Sequence, residues 1–256
     1  MRASLAYLKK ELVESVRRGK LFIMTGIFLL LGIMNPAISK LTPLLFEMFG
    51  EALEGSGLII TDFTVNAITS WTQYYKNLPM AYIAFVLLFG NSFTKEYGES
   101  TLVLLLTKGL KRYKVIIAKL ITLVLIFSIG YWLGYIVTYV SNDILWDNSI
   151  APGALFCSFC SWLFGIFLIS LIVLFSVLGK NYVTVLLSTG GVVFAFYILS
   201  IIPKLAEYLP LNLLNVSNFL MGNFNAEDFT KAIIVTVSLT VLAIAVSIPI
   251  LNKKQI

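Results

Sequence analysis

The sequence predicts an all-α polytopic membrane protein with six transmembrane helices, and three observations carry that prediction. Hydrophobic residues make up 59% of the 256 and charged residues only 12%, at a mean hydropathy of +0.91, so almost nothing remains for a soluble domain. Six apolar runs have about the twenty-residue length that crosses a hydrocarbon core: 21–39, 78–94, 120–140, 151–179, 181–202 and 232–251. The segments between these runs alternate in charge. Fifteen of the nineteen Lys and Arg residues fall before the first run, between the second and third, at Lys180, or after the last. Basic loops stay on the cytoplasmic side, so both termini are expected there. The whole chain, 1–256, reads as one multi-pass domain of the plasma membrane, and its Lys, Ile and Asn usage suits a bacterium. The net charge of +6 then reflects basic loops against anionic lipid and gives no reason to expect nucleic acid as a partner.

Residues 1–20 place Leu5, Leu8, Leu12, Val13 and Val16 at helical spacing, with Lys9, Lys10, Glu14, Arg17 and Arg18 around the rest. That is the pattern of an amphipathic helix lying in the inner interface, and Gly19 can turn the chain from it into the bilayer. A lead of this length carrying Glu11 and Glu14 does not suit the n-region of a cleaved signal peptide, so 21–39 is expected to be a retained signal anchor. The external stretch 40–77 mixes apolar residues with Glu47, Glu51 and Glu54, breaks at Gly55–Gly57, and then carries Trp71, Tyr74 and Tyr75, which suit an aromatic belt at the membrane surface. Tyr131, Trp132, Tyr135 and Tyr139 suit an outer-leaflet anchor. Gly130 with Gly134, and Ser161 with Gly165, are small-x-x-x-small pairs that let helices approach. Residues 203–231 form an external hairpin that is apolar yet interrupted by Pro210, Asn212, Asn215, Asn218 and Gly222. Short re-entrant helices fit it, because irregular backbone at membrane depth must be buried in protein or face a cavity.

Composition also excludes chemistry. With no histidine there is no imidazole base and no H-E-x-x-H zinc site, and no metal site or catalytic residue is assigned. Cys157 and Cys160 share one helix face and read as packing residues. None of the six runs contains Asp, Glu, Lys or Arg, whereas ion-coupled transporters usually keep an ionisable group at midplane. Energy for any transport is therefore expected from outside the membrane.

The segment 95–112 carries the functional expectation. Ser100 or Thr101 can cap a short helix holding Leu102, Leu105 and Leu106, and Gly109 can end it. Such a helix, with an apolar ridge and charged ends at Glu96, Glu99, Lys108, Lys111 and Arg112, suits a partner's groove; a merely solvated loop would carry the same charges. Its order of an acid (Glu96), a threonine (Thr101), a leucine cluster (Leu104–Leu106), an arginine (Arg112) and a late lysine (Lys119) resembles the first cytoplasmic loop of type-2 ABC transporter permeases. Lys10-Glu11-Leu12 followed by Arg17 resembles that family's amphipathic elbow. Gly109 and Lys111 depart from the family's usual proline and serine, which loosens the expected turn.

The resemblance implies that 95–112 is a coupling helix seated in a separate ATP-hydrolysing subunit, with Glu96, Glu99, Thr101, Leu102, Leu105, Lys108, Gly109, Lys111 and Arg112 at the contact. No G-x-x-x-x-G-K-[ST] occurs, so no cofactor is expected in this chain, and ATP and Mg would be held by the partner. The implied assembly is two ATPase subunits with two permeases, identical or homologous, in membrane lipid. Thr25, Asn35, Tyr82, Thr184, Ser188 and Tyr197 become candidates for the translocation wall, because spans one, two and five line the passage in such exporters. The expected activity is export of an amphipathic or hydrophobic substrate, an antimicrobial peptide first and a drug or lipid next. A non-transporting scaffold or sensor accessory that holds a cytoplasmic partner is the alternative; an intramembrane enzyme lacks a buried acid, histidine or paired nucleophile.

Overall fold

A computed structural model of the chain describes residues 2–54, 65–94, 107, 111–179 and 181–253. Those residues are helical throughout, with no strand among them, and five of the helices are long and apolar enough to cross a membrane. The protein is therefore a membrane-embedded helical bundle.

Helix α1 (Arg2–Arg17) is followed by Gly19 at φ +71°, a left-handed position that glycine takes without steric cost. The Gly19 amide closes the turn on Val16 O at 3.0 Å. α1 turns Tyr7 and Glu11 toward the bundle and leaves Leu5, Val13 and Val16 exposed, as suits an amphipathic helix against lipid. α2 (Lys20–Glu54) is one helix that runs well past the expected end at residue 39, through Pro36 and Pro43. Pro36 cannot donate to Gly32 O, and Thr138 Oγ1, on the next helix but one, shares its proton between Gly134 O at 2.9 Å and that carbonyl at 3.4 Å. Gly55–Gly57, the expected break in the 40–77 stretch, lie outside the described residues.

α3 (Ala67–Phe89) corrects a second expectation. Its first half was assigned to a membrane surface, yet Trp71, Tyr74 and Tyr75 are fully buried inside the bundle. Each finds a neighbour instead of headgroups: Trp71 Nε1 donates to Asn148 Oδ1 at 3.1 Å, Tyr75 Oη donates to Ala154 O at 2.6 Å, and Trp71 packs edge-on to Tyr74. α4 (Arg112–Leu145) and α5 (Ala154–Leu178) complete the core. Tyr131 of α4 is likewise buried, donating to Ser158 O at 2.8 Å, while Tyr139 remains exposed. Of the anchor residues expected on α4, Tyr131 thus belongs to the core.

α5 sits centrally, with 72% of its most apolar stretch buried against α3, α4, α6 (Tyr182–Leu199) and α9 (Thr230–Lys253). α6 is the least covered, at 11%. Between them the chain forms α7 (Pro203–Ala206), a 3-10 turn at Pro210–Leu214, α8 (Val216–Leu220) and a second 3-10 turn at Ala226–Phe229. These short pieces pack on α3, α5 and α9 at the bundle end away from the termini, where Cys157 Sγ donates to Val216 O at 3.7 Å. Cys157 and Cys160 are buried free thiols. On the outward faces Phe22, Ile33, Leu133, Ile136, Ile234 and Leu242 are exposed, a distribution that water would penalise and lipid does not.

Both expected small-residue pairs sit at helix contacts. A Cβ on Gly134 would lie 2.8 Å from Phe28 O, and one on Gly32 would lie 2.8 Å from Gly134 O, so α2 and α4 touch backbone to backbone. A Cβ on Gly165 would run into the Phe127 ring, which Phe28, Tyr82, Phe85 and Tyr131 surround. Close approach through small residues is how helices associate where apolar burial gives no net drive.

Candidate functional site

The bundle end that holds both termini also holds the two roots of the 95–111 segment. The first root is the C-terminus of α3, where four carbonyls have no partner inside the helix. The turn that follows meets two of them, and other helices meet the other two. Val86 O accepts from Gly90 N at 2.8 Å, and Phe89 O accepts from Ser92 N at 3.0 Å. Leu87 O accepts from Tyr182 Oη of α6 at 2.7 Å, and Leu88 O accepts from Lys20 Nζ of α2 at 2.6 Å. Lys20 also donates to Asn91 Oδ1 at 2.9 Å and lies 5.1 Å from the centre of the Phe89 ring.

Lys119 of α4 adds α1 to this root. Its side chain is only 3% exposed, and its ammonium donates at 2.8 Å both to Glu11 Oε2 of α1 and to Ser92 O, with the Phe93 ring 5.3 Å away. Burial pushes the Glu11 carboxyl up, but the Lys119 charge and hydrogen bond, with help from Lys10, outweigh it and hold the group below its ordinary value of 4.5. The second root is the start of α4, where Arg112 donates to Leu251 O at 2.8 Å and to Asn252 O at 3.1 Å. A guanidinium here caps the end of α9, where both the free carbonyls and the helix dipole favour a cation. The two roots are thus tied to α1, α2, α6 and α9. Replacing Lys20 by Met should strand Leu88 O and Asn91 Oδ1 and cost about 1–3 kcal/mol, read as a lower unfolding midpoint that Lys20→Arg partly restores.

Of the residues expected at an ATPase contact, Glu96, Glu99, Thr101, Leu102, Leu105, Lys108 and Gly109 lie outside the described residues. Lys111 is exposed at the N-cap of α4, and Arg112 is committed to α9. Glu11 and Lys119, quoted above only for their likeness to an elbow and a late loop lysine, form the buried pair that joins those two elements.

The expected wall residues do not gather in one place. A crevice of about 690 Å³ opens between α3, α5 and α6 under the 203–215 segment, and Tyr82 and Tyr197 line it. Tyr82 turns its hydroxyl away, donating to Ser161 O at 2.8 Å. Ser188 is half-buried on α6, while its neighbours Leu186, Thr189 and Gly190 line the crevice. Thr184 is exposed and belongs to the N-cap of α6, its amide donating to Asn181 Oδ1 at 2.9 Å. Thr25 and Asn35 lie on α2: Thr25 faces Gly130 of α4, and buried Asn35 accepts from Asn77 Nδ2 at 2.5 Å. No group of His, Cys, Asp and Glu that could hold a metal occurs among the described residues.

No protein-family model and no curated protein matches the chain.

Proposed function

We propose that the chain is the membrane-spanning subunit of an ATP-driven exporter, resembling type-2 ABC transporter permeases, that moves a hydrophobic or amphipathic molecule across the plasma membrane. In this reading α3 is the sixth crossing beside the five apolar helices, both termini face the cytoplasm, and the 203–231 hairpin lies on the outer side. Two ATPase subunits hold ATP and Mg, and a second permease, identical or homologous, completes the passage. The reading rests first on the residue pattern of 95–112.

The observation that carries it further is the tethering of both roots of that segment. A push on 95–111 reaches α3 and α4 directly, and through Lys20, Tyr182, the Lys119–Glu11 pair and Arg112 it reaches α2, α6, α1 and α9. A loop that only solvates a membrane surface has no need of such attachments. A partner drives a conformational change only through differential contact with its two states, and a segment tied to this many helices offers that leverage.

Co-purification of the chain with its ATPase in lipid, followed by hydrolysis assays with added hydrophobic substrates, tests the reading. Substrate should stimulate hydrolysis. Glu96→Arg should leave insertion intact and remove the stimulation, or release the ATPase. A bound ATPase indifferent to every substrate identifies a scaffold, and full stimulation in Glu96→Arg removes the coupling assignment.

A further inference from the structure

The crevice between α3, α5 and α6 is apolar along its length apart from Thr189 and gathers its other free polar groups at one end, and we infer that it binds a single-chain lipid with an un-ionised, hydrogen-bonding head, such as a monoacylglycerol. As the identity of an exported cargo this rests on the exporter reading; as a binding site it does not. A volume of about 690 Å³ lies within the range of about 300–1,000 Å³ typical of small-ligand sites. The shaft is formed by Ile83 and Val86 of α3, Leu168 of α5, and Leu186 and Val193 of α6. Toward the end nearest the termini the lining reaches Leu87 of α3, whose carbonyl accepts from Tyr182 Oη at 2.7 Å.

The hairpin end differs. There Ser200, Asn212 and Asn215 line the crevice; Asn215 Nδ2 donates to Asn212 Oδ1 at 3.3 Å, Asn212 Nδ2 to Asp228 O at 3.4 Å and Ser200 Oγ to Tyr197 O at 2.7 Å, and each amide keeps a second N–H, which matches a hydroxyl or ester head. No Asp, Glu, Lys or Arg is among the described lining residues. Of the ionisable side chains on the flanking turns, Glu207 pairs with Lys231 of α9 at 2.7 Å, and exposed Lys204, Glu227 and Asp228 do not line the crevice. An ammonium or carboxylate head would thus enter without a paired counter-charge, which is costly in an apolar site. A peptide fits less well, because its backbone would need hydrogen-bond partners along a shaft that supplies almost none. One apolar chain needs none, and its head finds amides where the shaft ends.

The full chain in lipid nanodiscs, without any ATPase, is photolabelled with diazirine probes of equal chain length: a monoacylglycerol, a fatty acid and an alkyltrimethylammonium. The monoacylglycerol should label α3 and α6 about tenfold more than either charged probe. Gly190→Trp should abolish that labelling, since Gly190 lines the crevice and a Cβ there meets nothing within 4 Å. Leu133→Trp, on the exposed face of α4, should not. Asn212→Leu with Asn215→Leu should weaken monoacylglycerol labelling while leaving a headless alkane probe unaffected. Equal labelling by all three heads, labelling that survives Gly190→Trp in folded protein, or capture of α6 only by a second copy overturns the inference. Selective labelling without ATP-driven transport would leave this site standing and sink the exporter reading; transport without selective labelling would do the reverse.

Discussion

Lys119→Met should lower the stability of the chain by about 3–5 kcal/mol, the cost of leaving one member of a buried ion pair without its partner. Glu11 is the group left behind. Its carboxylate sits between α1 and α4 with Lys119 at 2.8 Å, and Lys10, which also reaches it at 3.0 Å, is 47% exposed and so compensates the buried charge only in part. The same change frees Ser92 O at the α3 root. Glu11→Met combined with Lys119→Met should recover much of the loss, because an apolar pair of similar volume removes both desolvated charges. Detergent-solubilised protein followed through thermal or denaturant unfolding gives the comparison. A single variant as stable as wild type would mean the pair is solvated and carries nothing.

A pH series isolates the same pair. Because the Glu11 carboxyl is held below 4.5 in the folded protein, its contribution is fully present above that value and is lost as pH falls through the lower folded value. Wild type should destabilise on acidification in that window more steeply than the double variant. Identical acid limbs would assign the loss to other carboxylates.

How far the fold was legible follows from what hydropathy measures. The runs 120–140, 151–179, 181–202 and 232–251 lie on α4, α5, α6 and α9 because each of those helices presents an apolar face to lipid. The first half of α3 escaped because protein encloses it, while the run 78–94 covers its second half, where Met80, Ile83 and Leu87 are exposed. A stretch surrounded by other helices can carry Trp71, Tyr75 and Asn77, whose polar atoms find partners on its neighbours, and its polarity then resembles that of an external loop. α2 was cut short at residue 39 because Lys40 ends the apolar run, whereas the helix itself continues through Lys40 and Pro43. Pro36 inside that run removes one hydrogen bond, and the Gly32 carbonyl it abandons has Thr138 Oγ1 at 3.4 Å, a residue that becomes adjacent only in the folded bundle. At the candidate site, Glu11 and Lys119 were each visible through local pattern, and nothing in a separation of 108 positions announces that they pair. The crevice was less legible still. Tyr82 and Tyr197 lie in runs that hydropathy finds, yet the crevice between them depends on how α3, α5 and α6 pack, and its polar end on a hairpin folding back over α3 and α5.

Gly134→Val should be the most damaging change within the bundle interior, at about 3 kcal/mol or more, the upper end of what overpacking a close contact costs. A Cβ at this position meets Phe28 O at 2.8 Å and Phe28 Cβ at 3.1 Å. Backbone cannot rotate out of the way as a side chain does, so α2 and α4 must separate. Separation also draws Thr138 away from Gly32 O, the carbonyl that Pro36 leaves unpaired, and loosens Phe28 from its edge-on contacts with Phe127 and Tyr131 at 5.8 and 5.6 Å. Gly26→Ala on the same helix as Phe28 is the matched control. Nothing lies within 4 Å of a Cβ there, and alanine favours a helix interior by about 0.5–1 kcal/mol. The two variants should therefore shift the unfolding midpoint in opposite directions. A Gly134→Val protein that unfolds with Gly26→Ala would show that the two helices are not held at backbone contact.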